Sequence, residues 1–599
     1  MPVAEPTNVV VSNATNQSDS EDSSSVSDEV DSLIDIVEQN DWEQRRVAME
    51  EQRRLQEAME VGSPFPHPWW SAFSNIGPAP NCLDEWLIID ISNSIRVKPD
   101  WERKYKDDVI SNKWKQELRD QFSKKTRFIE EVIEFVFKEL EWYEKIQSTW
   151  FGDSGFKIGC SDKIVYSDQV INDDLKTELK SGVGKLIKSF GENLDYHPGS
   201  NNQVLDLVHP SLFPLQYEKT PILDGDEVKL ASYRDEIKCA KRAVDEYGVS
   251  KTFQWIPAVF KKENDKFKIA SYINNLHPKK HSDLYTTIES IFNEVIPGLN
   301  YTLTRYASKE FVRLQIPSYD EVYTEELQKE RARLQEELED DDYDEWDKLE
   351  KRMGEFVKDF KPKWESEPVF DKAIDLKSFE DVKVIVKLAN IELTPENPKY
   401  PGGAWHVEGT INEDIVATVL YYYEMENISD SRLSFRTGFE DPDYEQGDDF
   451  YTQYFFGLKD EDLMTRYLGS AEAKENRILI FPNMFQHHVD PFELTDKTKP
   501  GYRKILCFFI VDPYNPRVVG TDQVPPQQLD WWNDEELDYL FPNDLKEKIK
   551  KLKEGLVWPL TSNLAAEARR QLMYERSLRQ DAEEYDGGAF TRTFSLCEH

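Results

Sequence analysis

In "YPGGAWHVEGTINEDIVATVLYYY", residues 400–423, His406 and Glu408 stand two apart at the mouth of a run of β-branched and aromatic residues. A strand puts i and i+2 on one face, so imidazole and carboxylate converge on one point if Val407 faces the opposite layer. Imidazole nitrogen and carboxylate oxygen are ligand types that Fe(II) and Mn(II) accept. A lone His-x-Glu recurs by chance, and a buried hydrogen-bonded pair explains it equally well. A second run, "RILIFPNMFQHHVDPF", carries His487 and His488, which a strand points to opposite faces. Val489 shares a face with His487 and Asp490 with His488, so His487 is the inward candidate and His488 a surface residue.

A third run, "YRKILCFFIVDP", puts Arg503, Ile505, Cys507 and Phe509 on one face, with Arg503 the only charge at the entrance of an apolar wall. An unpaired buried guanidinium is costly, and its planar fork of donors matches a carboxylate. No acid in that strand serves. Glu493 or Asp496 in the preceding loop would be the structural partner, and a carboxylate from outside the chain the functional one. Tyr422 and Thr418 are further candidates to touch such a ligand, with the phase of their strand undecided.

The elements that must position these groups begin near residue 380, where the apolar period changes. "DVKVIVKLANIEL" alternates as a half-buried strand does, and several short β runs follow, separated by Pro, Gly and Asp turns. Successive strands without intervening helices predict an antiparallel sandwich or barrel of the jelly-roll or cupin type. Upstream, residues 99–150 carry apolar residues at helical spacing, and "FKIASYINNLHPKKHSDLY" reads as strand, turn and a helix starting near Ser282. The expected fold class is α+β. A disordered acidic, Ser-rich tail (1–27) leads to a helical and Pro/aromatic extension (28–79) and an N-terminal α+β region (80–320). A charged helical insertion (321–369), a β domain (370–540) and C-terminal helices with a tail (541–599) complete the expected order. His209, His277 and His281 are read as histidines that fix turns, since Pro278 takes His277 out of a regular helix.

Composition narrows the partners. With 115 acidic against 74 basic side chains the formal charge is −41, which disfavours nucleic acid and anionic membranes. Aromatic side chains are abundant, 15 Trp, 27 Tyr and 32 Phe, enough to exclude wholesale disorder. Five scattered cysteines without a CxxC suit a reducing compartment. No run reaches the ~18 apolar residues of a membrane span, and a cytoplasmic or nuclear protein is expected.

The set His406, Glu408, His487 and Arg503, each on its own apolar run, resembles the Fe(II)/2-oxoglutarate-dependent oxygenases, which are built on a double-stranded β-helix. The resemblance implies metal ligands His406, Glu408 and His487, and Arg503 as the clamp on the far carboxylate of 2-oxoglutarate. Glu stands where Asp is commoner. It also implies oxidation of a substrate C–H bond, with activity falling below about pH 6 as the imidazoles protonate. Longer blocks, among them "PGGAWHVEGTINEDIVATVLYYYEMENISDSRLSFR", "FPNMFQHHVDPFELTDKTKPGYRKILCFFIVDP" and "VPPQQLDWW", resemble a fungal family called domain of unknown function 4246, over about residues 80–580. That name implies no activity. The rivals are a non-catalytic β-helix scaffold, with the acidic insertion as its protein-binding surface, and a metal-dependent cupin enzyme that uses no 2-oxoglutarate. Whether the substrate is a protein or a small molecule is not written in the sequence.

Overall fold

The computed structural model describes residues 63–68, 80–233, 248–337, 343–370, 372–445, 449–532, 534–540, 545–552, 555–586 and 590–596. The expected tail (1–27) and nearly all of the extension to residue 79 lie outside them. Helical spacing yields α1 (Leu83–Arg96), α2 (Asp108–Phe122), α3 (Ile129–Phe151) and α4 (Asp173–Phe190). The α2 and α4 helices start on Asp107 and Asn172, whose side chains accept the first free N–H groups. Later come α5 (Ser282–Ala307), which starts where the sequence reading put it, then α6 (Glu325–Glu337), α7 (Tyr343–Glu350) and α8 (Ser562–Asp586). The α6 and α7 helices pack Leu327, Leu334 and Leu349 with Tyr451 and Phe455 in a cluster of their own.

The strands that build the sheets around the site are β1 (Lys157–Ile158), β2 (Val165–Ser167), β3 (Val204–Val208), β4 (Ala258–Glu263), β5 (Lys266–Ile269), β6 (Asp381–Leu393) and β7 (Lys399–Tyr400). They continue with β8 (Ile415–Glu426), β9 (Arg432–Gly438), β10 (Thr465–Glu472), β11 (Arg477–Pro482), β12 (Gln486–Val489), β13 (Phe492–Glu493) and β14 (Gly501–Val511). A nine-stranded sheet runs β1-β2-β11-β8-β14-β6-β4-β5, with β3 pairing the later half of β6. A three-stranded sheet runs β10-β9-β12, and β7 pairs β13. The named strand pairings are antiparallel. Helices with antiparallel sheets make the fold α+β, as expected.

Alternation along β6, β8 and β14 decides which side faces what. Val384, Val386, Val419, Tyr421, Phe508 and Ile510 are buried with Ile288, Phe292 and Val295 of α5 in the main core. The opposite face turns Ile385, Leu420, Tyr422, Cys507 and Phe509 toward Leu433 and Phe435 of β9, and α8 adds Ala568 and Leu572 to this second cluster. Gly298 lets α5 press on the sheet: a Cβ there would lie 2.7 Å from Ile480 Cδ1 and 2.8 Å from Phe156 Cε1. Among the described residues no helix is long and apolar enough to cross a membrane.

Candidate metal centre

The inner face of β8, β11 and β14 and the facing β9 and β12 enclose the candidate site. His406 and Glu408 lie in the loop between β7 and β8, and here the strand reading is corrected. His406 forms an isolated bridge to His487 on β12, while Glu408 sits in the bend that follows. The convergence comes from that bridge rather than from strand alternation: His406 N–H donates to the His487 carbonyl at 3.1 Å and His487 N–H returns to His406 at 2.9 Å. Asn483, fully buried after β11, fixes the other donor. Its Oδ1 accepts from Glu408 N–H at 2.8 Å and its Nδ2 donates to the Glu408 carbonyl at 2.8 Å. Gly409, at φ +72°, makes the turn that follows; a Cβ would meet Ile415 at 2.9 Å. Glu413, also fully buried, ties off the loop by accepting from the N–H groups of Thr410 and Trp255 and pairing Arg576 of α8.

His406 Nε2 and His487 Nε2 lie 3.7 and 3.5 Å from Glu408 Oε1, and all three donor atoms are within 4.8 Å of one another. These separations exceed hydrogen-bond lengths. Donor atoms gathered this closely, two imidazole nitrogens and one carboxylate oxygen, are of the type and number that could share one divalent cation. His406 Nδ1 faces the Ala404 carbonyl at 2.9 Å, which puts the proton on Nδ1 and leaves Nε2 as the donor to an ion. Burial alone would lower the His406 pKa, but Glu408 outweighs it and holds it above the ordinary value. Burial pushes Glu408 up, yet the two imidazoles bring it well below the usual carboxylate range. Burial, then His406, pushes His487 down. These are three coupled donors competing for protons where a divalent cation would serve them all.

Arg503 is 2 % exposed on the inner face of β14. Nη1 donates to Ser431 Oγ at 2.8 Å, and the guanidinium lies over the rings of Phe492 and Tyr422 at 5.3 and 5.5 Å. Neither acid foreseen as its structural partner reaches it: Glu493 pairs Lys399 and Lys497, and Asp496 pairs Lys499. Arg503 Nε and the Tyr422 hydroxyl are both buried without a hydrogen bond. The phase of β8 is now settled; Tyr422 is the aromatic that faces Arg503, and Thr418, also on the inner side, has an unbonded hydroxyl further along. His488 is displaced from the centre as expected, pairing Asp490 at 3.2 Å against Trp405.

A second cluster was not foreseen: His197, Asp206 and His209 also bring donor atoms within 4.8 Å. Its chemistry differs, because Arg569 of α8 already pairs Asp206 and Asp195. A guanidinium on the only carboxylate of the trio leaves no charge for a metal, whereas no Lys or Arg pairs Glu408 among the described residues. The residues of the first cluster fit a divalent ion and those of the second do not. His209 Nδ1 accepts from Ser211 N–H and His277 Nδ1 from Lys279 and Lys280 N–H, the turn-fixing role expected of them.

A search of curated proteins finds no match. Among solved structures the chain is similar to IDO from Bacillus thuringiensis, at 13 % identity over 23 % of this chain and 48 % of that one, TM-score 0.15. It is similar to the Fe(II)/(alpha)ketoglutarate-dependent dioxygenase TqaL, at 14 % identity over 24 % and 47 %, TM-score 0.15. The match to a prolyl hydroxylase from Trichoplax adhaerens, in complex with a hypoxia inducible factor peptide, is 10 % identical over 63 % and 94 %, TM-score 0.20. The chain thus spans about half the length of the first two, and likenesses this slight carry no argument. Family models are more informative: "protein of unknown function (DUF4246)" matches residues 130–535 and "domain of unknown function DUF4246, N-terminal" residues 37–117. The chain belongs to the DUF4246 family.

Proposed function

We propose that this protein is an Fe(II)- and 2-oxoglutarate-dependent oxygenase that hydroxylates an as yet unidentified substrate, on a double-stranded β-helix. The strand order supports the fold. β6, β14, β8 and β11 lie side by side in one sheet, and β12, β9 and β10 in a second that packs on it, with the 406–487 bridge extending the latter. One observation carries the function: a two-histidine, one-carboxylate set sharing an interior with a buried arginine, where among the described residues no basic side chain pairs the carboxylate and no acid pairs the arginine.

His406, Glu408 and His487 would hold the iron, and Arg503 with Tyr422 would take the far carboxylate of the oxoacid. Bound iron with 2-oxoglutarate supplies the O₂-dependent oxidising chemistry. The chain's own work is positional. Asn483 holds the Glu408 main chain, the Ala404 carbonyl keeps the His406 proton on Nδ1, and Phe481, packed edge-on to His487 at 4.9 Å, keeps water from that side. An acid of the fold on Arg503 would have favoured the scaffold rival, but Glu493 and Asp496 are engaged elsewhere.

The test is Fe(II)-dependent release of succinate from 2-oxoglutarate, with Mn(II) binding followed by calorimetry alongside. The intact protein turns over and His406→Ala neither turns over nor binds metal. Equal succinate release by both proteins would refute the assignment.

A further inference from the structure

We propose that Lys387 recognises a carboxylate on the substrate, an inference that rests on the oxygenase reading and narrows its substrate to acidic molecules. Lys387 lies in mid-β6, opposite Cys507 of β14, on the inward face between Ile385 and Ala389. A lysine in such a row is costly unless an anion meets it. Lys383, four residues earlier on the same face, donates to the carbonyls of Pro516 and Val518. Among the described residues Lys387 makes no hydrogen bond and no ion pair; the acids whose field reaches it are Glu408 and Asp206.

Both acids have other commitments. Asp206 pairs Arg569 and His197, and Glu408 faces the two imidazoles and, on the reading above, the metal. That leaves the ammonium in the field of two acids but, among the described residues, without an ion pair of its own on this flank. It does not duplicate Arg503: Arg503 is in register with Ile391, four residues along β6, roughly 13 Å at strand spacing. One cation serves the cosubstrate's far end and the other a different anion. A single ammonium beside two acids suits a carboxylate, with its one charge, better than a phosphate monoester carrying nearly two.

The experiment uses the full chain loaded with Mn(II) and saturating 2-oxoglutarate, with acetate, neutral acetamide and methyl phosphate as probes. Binding is read from Mn(II) water-proton relaxation. Acetate binds and acetamide does not, and Lys387→Met weakens acetate at least tenfold while Kd for Mn(II) and for 2-oxoglutarate stays put. Lys387→Gln, checked for fold by near-UV circular dichroism, repeats the result with a polar side chain. Three results overturn the proposal: undiminished acetate binding in the variants, tighter binding of methyl phosphate than of acetate, or loss of 2-oxoglutarate affinity, which would make Lys387 a cosubstrate residue. Should the intact protein bind neither Mn(II) nor 2-oxoglutarate, the oxygenase reading fails. Acetate binding to the metal-free chain, with and without Lys387, then still decides the anion site.

Discussion

Asn483 is separated from Glu408 by 75 residues, yet its amide grips both polar groups of the Glu408 main chain. Such outer partners of metal ligands are worth about 10–100-fold in affinity. Asn483→Ala is therefore expected to weaken Mn(II) binding by that factor, measured by calorimetry; unchanged affinity would mean that the loop holds itself. Arg503 gives a prediction of opposite sign. Its charge is buried against two rings and one hydroxyl with no acid paired to it among the described residues, so Arg503→Leu should leave Tm unchanged or raise it while abolishing 2-oxoglutarate binding. A fall of several degrees would mark Arg503 as structural. The sequence made the donors legible because His, Glu and Arg are conspicuous on apolar runs. It hid Asn483, since an amide in a turn already has a local use, and Lys387, since a lysine in an alternating strand reads as outward until the register is known.

At the level of elements, α8 is joined to β3 through Arg569 and Asp206, both almost fully buried. Burial pushes Asp206 up, but His209, His197 and Lys387 outweigh it and hold the carboxyl far below its ordinary value. A depressed carboxylate contributes stability that is complete above the unfolded value of about 4 and is lost as pH falls through the acid range. Denaturant unfolding should show the wild type losing stability between about pH 5 and pH 3 more steeply than Asp206→Asn, which starts lower and stays flatter. Parallel curves would remove this pair from the acid limb. None of this could be read in advance, because Asp206 and Arg569 are 363 residues apart. The phase of β14, by contrast, was legible from the face shared by Arg503, Ile505, Cys507 and Phe509, whereas β8, buried on both faces, reads as a continuous apolar run with no phase. The loop bearing His406 and Glu408 was misread as strand because two polar residues at i and i+2 mimic alternation although a bridge and a bend bring them together.

For the whole molecule, a formal charge of −41 sets a repulsive background that many exposed ion pairs, each worth ~0–1 kcal/mol, offset only in part. Tm should rise when salt goes from about 10 mM to about 150 mM, where the screening length shrinks from ~30 to ~8 Å. A drop would mean that local pairs outweigh the repulsion. The arrangement of α8 carries a consequence for biosynthesis. All three candidate ligands and Arg503 precede residue 504, but Ala568 and Leu572 of the inner cluster come later, as does Arg576 on the ligand loop. A nascent chain thus holds every donor atom while one flank of the inner cluster is still uncovered. Were those three side chains to take a metal, every ligand would already be in the chain before the helix that anchors their loop through Arg576 is made.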